Sequence, residues 1–152
     1  MLDRPADDQA ARQKLMNALA AAPAADLAAL WVGWNEQPEY DLVRGPETGL
    51  VMVRGRAGGG GSPFNLGEVT VTRATVRLST GEIGHSYALG RDGDKAKVAA
   101  VFDALWQRPR DRAAVEAIAE QLRGLAAEAD RQRREETAAT RVNFFTMVRG
   151  DD

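Results

Sequence analysis

The sequence predicts an α+β fold: an antiparallel sheet of about four to five strands, helices on one side and at the N-terminus, and a long C-terminal helix followed by an extended tail. Three observations carry this. Residues 68–78, EVTVTRATVRL, are a long β-branched run, the composition that suits a pleated surface. Ser79-Thr80-Gly81 then turns that run into a second one at 82–89, and so short a loop joins only antiparallel neighbours. Flanking this region, apolar residues recur every three or four positions, the period of amphipathic helices.

The chain of 152 residues is expected to form one domain with its own core. It divides into N-terminal helices and a first strand (1–46), a sheet core with a glycine-rich loop (47–91), helices (94–138) and a docking tail (139–152). In the first segment, residues 6–22 carry Leu15, Ala18, Leu19 and Ala22 at helical spacing, with Asp7 and Asp8 at the positive end of the dipole. Pro23 ends this helix and opens a second over 24–34, where Leu27, Leu30, Trp31 and Trp34 share a stripe. A strand follows at 39–44. Residues 50–56 form the next strand, broken by Gly58, Gly59, Gly60 and Gly61. Within 68–78 the apolar parity changes at Arg73, so a β-bulge near Thr72 would keep one face apolar. A strand covered on both faces is the alternative.

Asp94 is expected to cap a helix over 95–107, whose apolar face is Val98, Val101, Phe102, Leu105 and Trp106. A last helix from Asp111 repeats Val115, Ile118, Leu122, Leu125 and Ala129 in alternating steps of three and four, the seam of a nearly parallel helix pair. Beyond Ala129 the composition is mixed charge, a solvated face. The tail, TRVNFFTMVRGDD, turns apolar again, and if it is a strand Phe144 and Phe145 point to opposite faces.

Composition narrows the function. There are no cysteines and one histidine, so no disulfide framework and no metal site are expected. A net charge of −2 opposes general nucleic-acid binding, which runs on phosphate neutralisation. Nothing resembles a signal peptide or a membrane span, so a cytoplasmic protein that binds neither membrane nor nucleic acid is expected. The glycine run, with Arg54, Arg56 and Arg73 close in sequence, admits an anion-binding reading, since consecutive amides can cradle a phosphate. No Gly-Lys-Ser/Thr step into a helix follows it, and a simple mobile loop between strands is the preferred reading. His85 lacks a nameable partner for acid–base work. Glu47 and Glu68 have no spacing that demands a carboxylate pair. No catalytic residue is assigned.

Several stretches resemble the PhnG family, one of the subunit families of the bacterial carbon–phosphorus lyase core complex. They are ETGLV at 47–51, RAGG at 56–59, NLGEVTVTRA at 65–74, LGRD at 89–92, DAL at 103–105 and RVNFFTMVRGD at 141–151. The tail is the most specific. Gly60 and Asn143 depart from the pattern. The resemblance implies a protein that works with subunits H, I and J, assisted by the ATP-binding subunit L or K. With H, I and L it takes part in transferring alkylphosphonate to the ribose C1 of ATP, with release of adenine. Subunit I is then the nucleosidase, and an iron–sulfur cluster and S-adenosylmethionine belong to subunit J; the PhnG chain alone binds no cofactor. Partner contacts are expected at Val115, Ile118, Leu122, Leu125, Val142, Phe144, Phe145, Met147 and Val148.

Overall fold

A computed structural model describes residues 6–139. Four helices and three strands follow one another: α1 (Ala6–Ala21), α2 (Ala24–Val32), β1 (Tyr40–Arg56), β2 (Pro63–Leu78), β3 (Ile83–Leu89), α3 (Gly93–Trp106) and α4 (Pro109–Ala139). No single described helix is long and apolar enough to cross a membrane.

The sheet has three strands in the order β1-β2-β3, every neighbour antiparallel. The count falls below the expected four to five because the strands foreseen at 39–44 and 50–56 are one continuous 17-residue strand. It runs through Gly45-Pro46, a cis peptide bond, where β1 carries more residues than its partner. The irregularities fall in β1 at 42–47 and opposite Val53, where β2 bulges at Leu66. β2 itself does not bulge near Thr72, since it pairs with β3 without a break from Val71↔Leu89 to Arg77↔Ile83, and the extra residues opposite Arg73–Val76 belong to β1. Nor is the strand covered on both faces: on the outer face Arg73 and Arg77 are exposed, as are Ile83, His85 and Tyr87 of β3. Thr72, Ala74, Val76 and Leu78 are buried towards the helices, while Val71 is buried on the opposite face.

Helix α3 is the centre of the core. Ala96, Ala99, Ala100, Val101, Phe102, Ala104, Leu105 and Trp106 are all buried, which is why its sequence reads as apolar nearly all round. It lies against β2 and β3, and small residues set the distance. Gly84 of β3 faces the helix where its Ala100 carbonyl and Ala104 amide pass closest. Trp31 and Trp34 meet Phe102 edge-on, with ring centroids 5.7 and 5.6 Å apart. Leu15 and Leu19 of α1 and Leu27 of α2 complete this layer.

The cap of α3 is Asp92, not Asp94. The Lys95 amide donates to the Asp92 carboxylate at 2.8 Å, while Asp94, already in the first turn, pairs with Lys97 and has its carboxyl held below the usual range by that contact. Replacing Asp92 with alanine is expected to cost about 1 kcal/mol of stability, measurable as a lower urea midpoint, with Asp94→Ala close to neutral.

Helix α4 buries Val115, Ala119 and Leu122, and Ile118 packs against the same core. Past Leu122 its residues are exposed or half-exposed, and it runs on for roughly 25 Å at 1.5 Å per residue. Ion pairs such as Arg131–Glu128 and Arg134–Asp130 line this far half, as the mixed-charge composition predicts.

Candidate functional site

Strands β1 and β2 are long, 17 and 16 residues, whereas β3 has 7. The mismatch decides the molecule's main surface feature. β3 supports β2 only from Val71 to Arg77, and the Gly90 amide closes the sheet on the Thr70 carbonyl at 2.9 Å. Beyond that point, 49–56 and 63–70 continue as a two-stranded ribbon. No described side chain between 49 and 70 is buried.

The root of the ribbon is firmly tied. The Thr72 hydroxyl, fully buried, donates to the Gly90 carbonyl at 2.7 Å and meets the Thr48 hydroxyl at 2.9 Å. On the other face, Arg73 reaches across to Glu47, with its Nε 3.0 Å and its Nη2 2.9 Å from Oε2. Glu47, Thr48, Leu50, Val71, Arg73 and Tyr87 line a shallow recess of about 200 Å³ here.

This geometry separates the residues that sequence proximity suggested would act together. Arg73 is held at the root by Glu47. Arg54 and Arg56 stand opposite Asn65 and Pro63, roughly 23 Å or more further along at 3.3 Å per residue. Among the described residues neither pairs with a carboxylate. Gly58, with φ 61, and its neighbours make the reversal at the tip through a short turn at Ala57–Gly59, and a side chain at Gly58 would be strained by that conformation alone. The tip therefore neighbours Arg54 and Arg56 and is remote from Arg73. Glu47 and Glu68 are likewise apart, opposite Arg73 and Met52.

His85 lies exposed on the outer sheet face, its Nδ1 3.1 Å from the Thr75 hydroxyl. Its backbone has a different task. The His85 amide donates to Asp103 Oδ2 at 2.8 Å, and the Ile83 carbonyl accepts from Gln107 Nε2 at 2.6 Å. Asp103 is fully buried and also takes two bonds from Arg12, 2.8 Å to Nε and 2.6 Å to Nη2. The hydrogen bonding to Asp103, aided by its charge, outweighs the opposing effect of burial and holds the Arg12 guanidinium above its usual pKa. Side chains from α1 and α3 thus occupy the Ile83 carbonyl and the His85 amide at the start of β3, on the side away from β2. Sequence reasoning passed over this cluster. The available signal was an aspartate at position 103 between Phe102 and Ala104, inside a stretch otherwise fit only for core.

Of the expected partner-contact residues, Val115 and Leu122 are buried in the chain's own core and Ile118 packs against it. They serve the internal seam between α4 and α3, in the same buried cluster as Ala119 and Trp106. Leu125, about half exposed, and Ala129 remain open on that stripe. Val142, Phe144, Phe145, Met147 and Val148 lie outside the described residues.

Together these features define an α+β domain: a helix-backed, three-stranded antiparallel sheet whose first hairpin extends past the third strand as an uncovered ribbon. The model of the family described as "Phosphonate metabolism protein PhnG" matches residues 10–150. The chain belongs to that family. It is also 58% identical over 143 residues, covering 94% of this chain and 92% of the other, to a protein of Rhizobium meliloti (strain 1021). That relative is named "Alpha-D-ribose 1-methylphosphonate 5-triphosphate synthase subunit PhnG".

Proposed function

We propose that this chain is a subunit of an alpha-D-ribose 1-methylphosphonate 5-triphosphate synthase, acting in the cytoplasm in phosphonate catabolism. Together with subunits H, I and L, it enables alkylphosphonate to replace adenine at the ribose C1 of ATP. Its own part is to support the nucleosidase subunit I within an assembly that also holds subunit J, whose iron–sulfur cluster and S-adenosylmethionine serve the later cleavage. The observation that carries this is 58% identity across 94% of the chain to a relative bearing the synthase name. At that level, held along nearly the whole length, the same fold and the same assembly surfaces are the expectation.

The test is reconstitution from purified subunits with ATP and methylphosphonate, following adenine release. Adenine should appear with the full set and fail when this chain alone is omitted. Undiminished release without it, or turnover by this chain unaided, overturns the proposal. Deleting 140–152 is expected to abolish co-purification with subunit I while far-UV circular dichroism keeps most of its helix signal, because the described helices end at Ala139. Retained assembly after the deletion would refute the tail's part in it.

A second reading rests on one observation: Arg54, Arg56 and the glycine tip come together without a carboxylate partner among the described residues. In it the ribbon lends these groups to the triphosphate or phosphonate in an active site shared with another subunit. Arg54→Ala/Arg56→Ala would then lose activity and spare the complex.

A further inference from the structure

The two faces of the ribbon are unlike each other. Alternation along β1 puts Val51, Val53 and Gly55 on one face, and β2 adds Phe64, opposite Gly55, and Leu66 at its bulge. The Leu66 methyl lies across Gly55, 2.6 Å from where a Cβ would stand. This face is apolar throughout, and it is open, with Leu66 65% and Phe64 46% exposed. The opposite face begins apolar with Leu50 and Met52, 61% and 54% exposed, and ends in Arg54 and Arg56. The ribbon has one carboxylate, Glu68, near its root opposite Met52 on this second face, and none from Gly49 to Gly67 around the tip, although the chain as a whole is net negative. An isolated two-stranded hairpin is marginal in water, so a ribbon exposing large side chains on both faces calls for cover. On the β3 edge the Ile83 carbonyl and the His85 amide are already bonded to side chains of α1 and α3, whereas β1 pairs with no described strand on its outer side.

From this layout we infer that the ribbon, residues 49–70, is a docking arm that inserts into a groove on another protein subunit of the synthase. The groove has one apolar wall for Val51, Phe64 and Leu66, and carboxylates on the wall that meets Arg54 and Arg56. The inference rests on the subunit reading above and identifies a surface for it. Charge complementarity selects the partner. Guanidinium groups at the end of a greasy strand suit bidentate carboxylates at a desolvated rim, and arginine with large apolar anchors is the composition of interface hot spots. Two cations interleaved with apolar residues are too few for a nucleic-acid footprint.

Two double variants test it, Arg54→Glu/Arg56→Glu and Phe64→Ser/Leu66→Ser, each co-expressed in the full chain with the remaining synthase subunits. Each should reduce the chain recovered with the complex by at least about tenfold, the effect of losing a hot-spot cluster, while far-UV circular dichroism of the variant chain stays that of wild type. A photo-cross-linker at Leu66 in the purified complex should capture a segment of another subunit that contains aspartate or glutamate. Wild-type recovery of both variants, or cross-linking only to a second copy of this chain, overturns the inference. Failure of the wild-type chain to join the complex would instead strike the subunit reading itself.

Discussion

Replacing Gly84 with valine is expected to be the most damaging single change in the chain, lowering stability by about 3 kcal/mol or more. A Cβ at this position would overlap the Ala100 carbonyl oxygen and stand 2.6 Å from the Ala104 amide nitrogen and 2.8 Å from its methyl. These are backbone atoms of α3 and a short side chain, so nothing flexible can move aside. The helix itself must lift off the sheet, and α3 is where Val101, Phe102, Leu105 and Trp106 are buried. Lifting it loosens contacts to β2, β3, α1 and α2 together. Urea unfolding measures the effect as a fall in midpoint. Gly124→Ala is the control, since a Cβ there meets open space and alanine is the better helix former. Equal midpoints for Gly84→Val and wild type would show that the helix does not press on this strand.

Second in size is Asp103→Ala, expected to cost about 3 kcal/mol. The carboxylate is fully buried and has three bonds to lose, two from Arg12 and one from the His85 amide. Removing it strands a guanidinium and a backbone donor in partly dry surroundings. The Arg12 side chain keeps 23% exposure, so water can reach it, and the cost belongs near the lower end of that for a severed buried pair. Arg12→Ala should cost less than Asp103→Ala, because the carboxylate would still hold the His85 amide. The double variant should fall well short of the sum of the two, as expected for groups in direct contact. Strict additivity would show that the two side chains do not depend on each other. Asp103→Asn should lie between wild type and Asp103→Ala, since an amide oxygen can still accept from His85. Faster amide exchange at His85 in Asp103→Ala would separate opening of the β3 edge from general loosening.

Much of the frame could be read from residue spacing. Periodicity located all four helices because their apolar stripes repeat every three or four residues, and Pro23 and Pro109 punctuate them. The hairpin between β2 and β3 was equally legible from a short loop between β-branched runs. The strand count was not. Gly45-Pro46 has the composition of a terminator, yet β1 passes through it, since an edge strand tolerates proline and an irregularity that a central one would not. The cap of α3 slipped by two residues because Asp92 and Asp94 are equally good candidates, and only the path of the chain through Gly93 selects between them.

The candidate site divides in the same way. Linear proximity grouped Arg54, Arg56 and Arg73, but an extended strand carries seven positions across roughly 23 Å, so the grouping failed for Arg73 and held for the other two. The α4 stripe was recognisable as a seam, yet its partner was the chain's own α3 at Val115 and Leu122. A periodic pattern records that a face will be buried and is silent on what buries it.

Local chemistry alone thus determined the helices and the extended runs at 39–44, 50–56, 68–78 and 82–89, though the first two proved to be one strand from Tyr40; these follow from backbone preference and side-chain period, properties each residue carries with it. Family membership was legible there too, through ordered strings such as NLGEVTVTRA. Only the tertiary structure decided that the first hairpin outruns β3, that Asp103 and Arg12 hold the His85 amide at the sheet edge, and that Arg54 and Arg56 share an uncovered ribbon. Each of those depends on the relative lengths and register of segments distant in the chain, and pairing across space fixes them rather than any residue by itself.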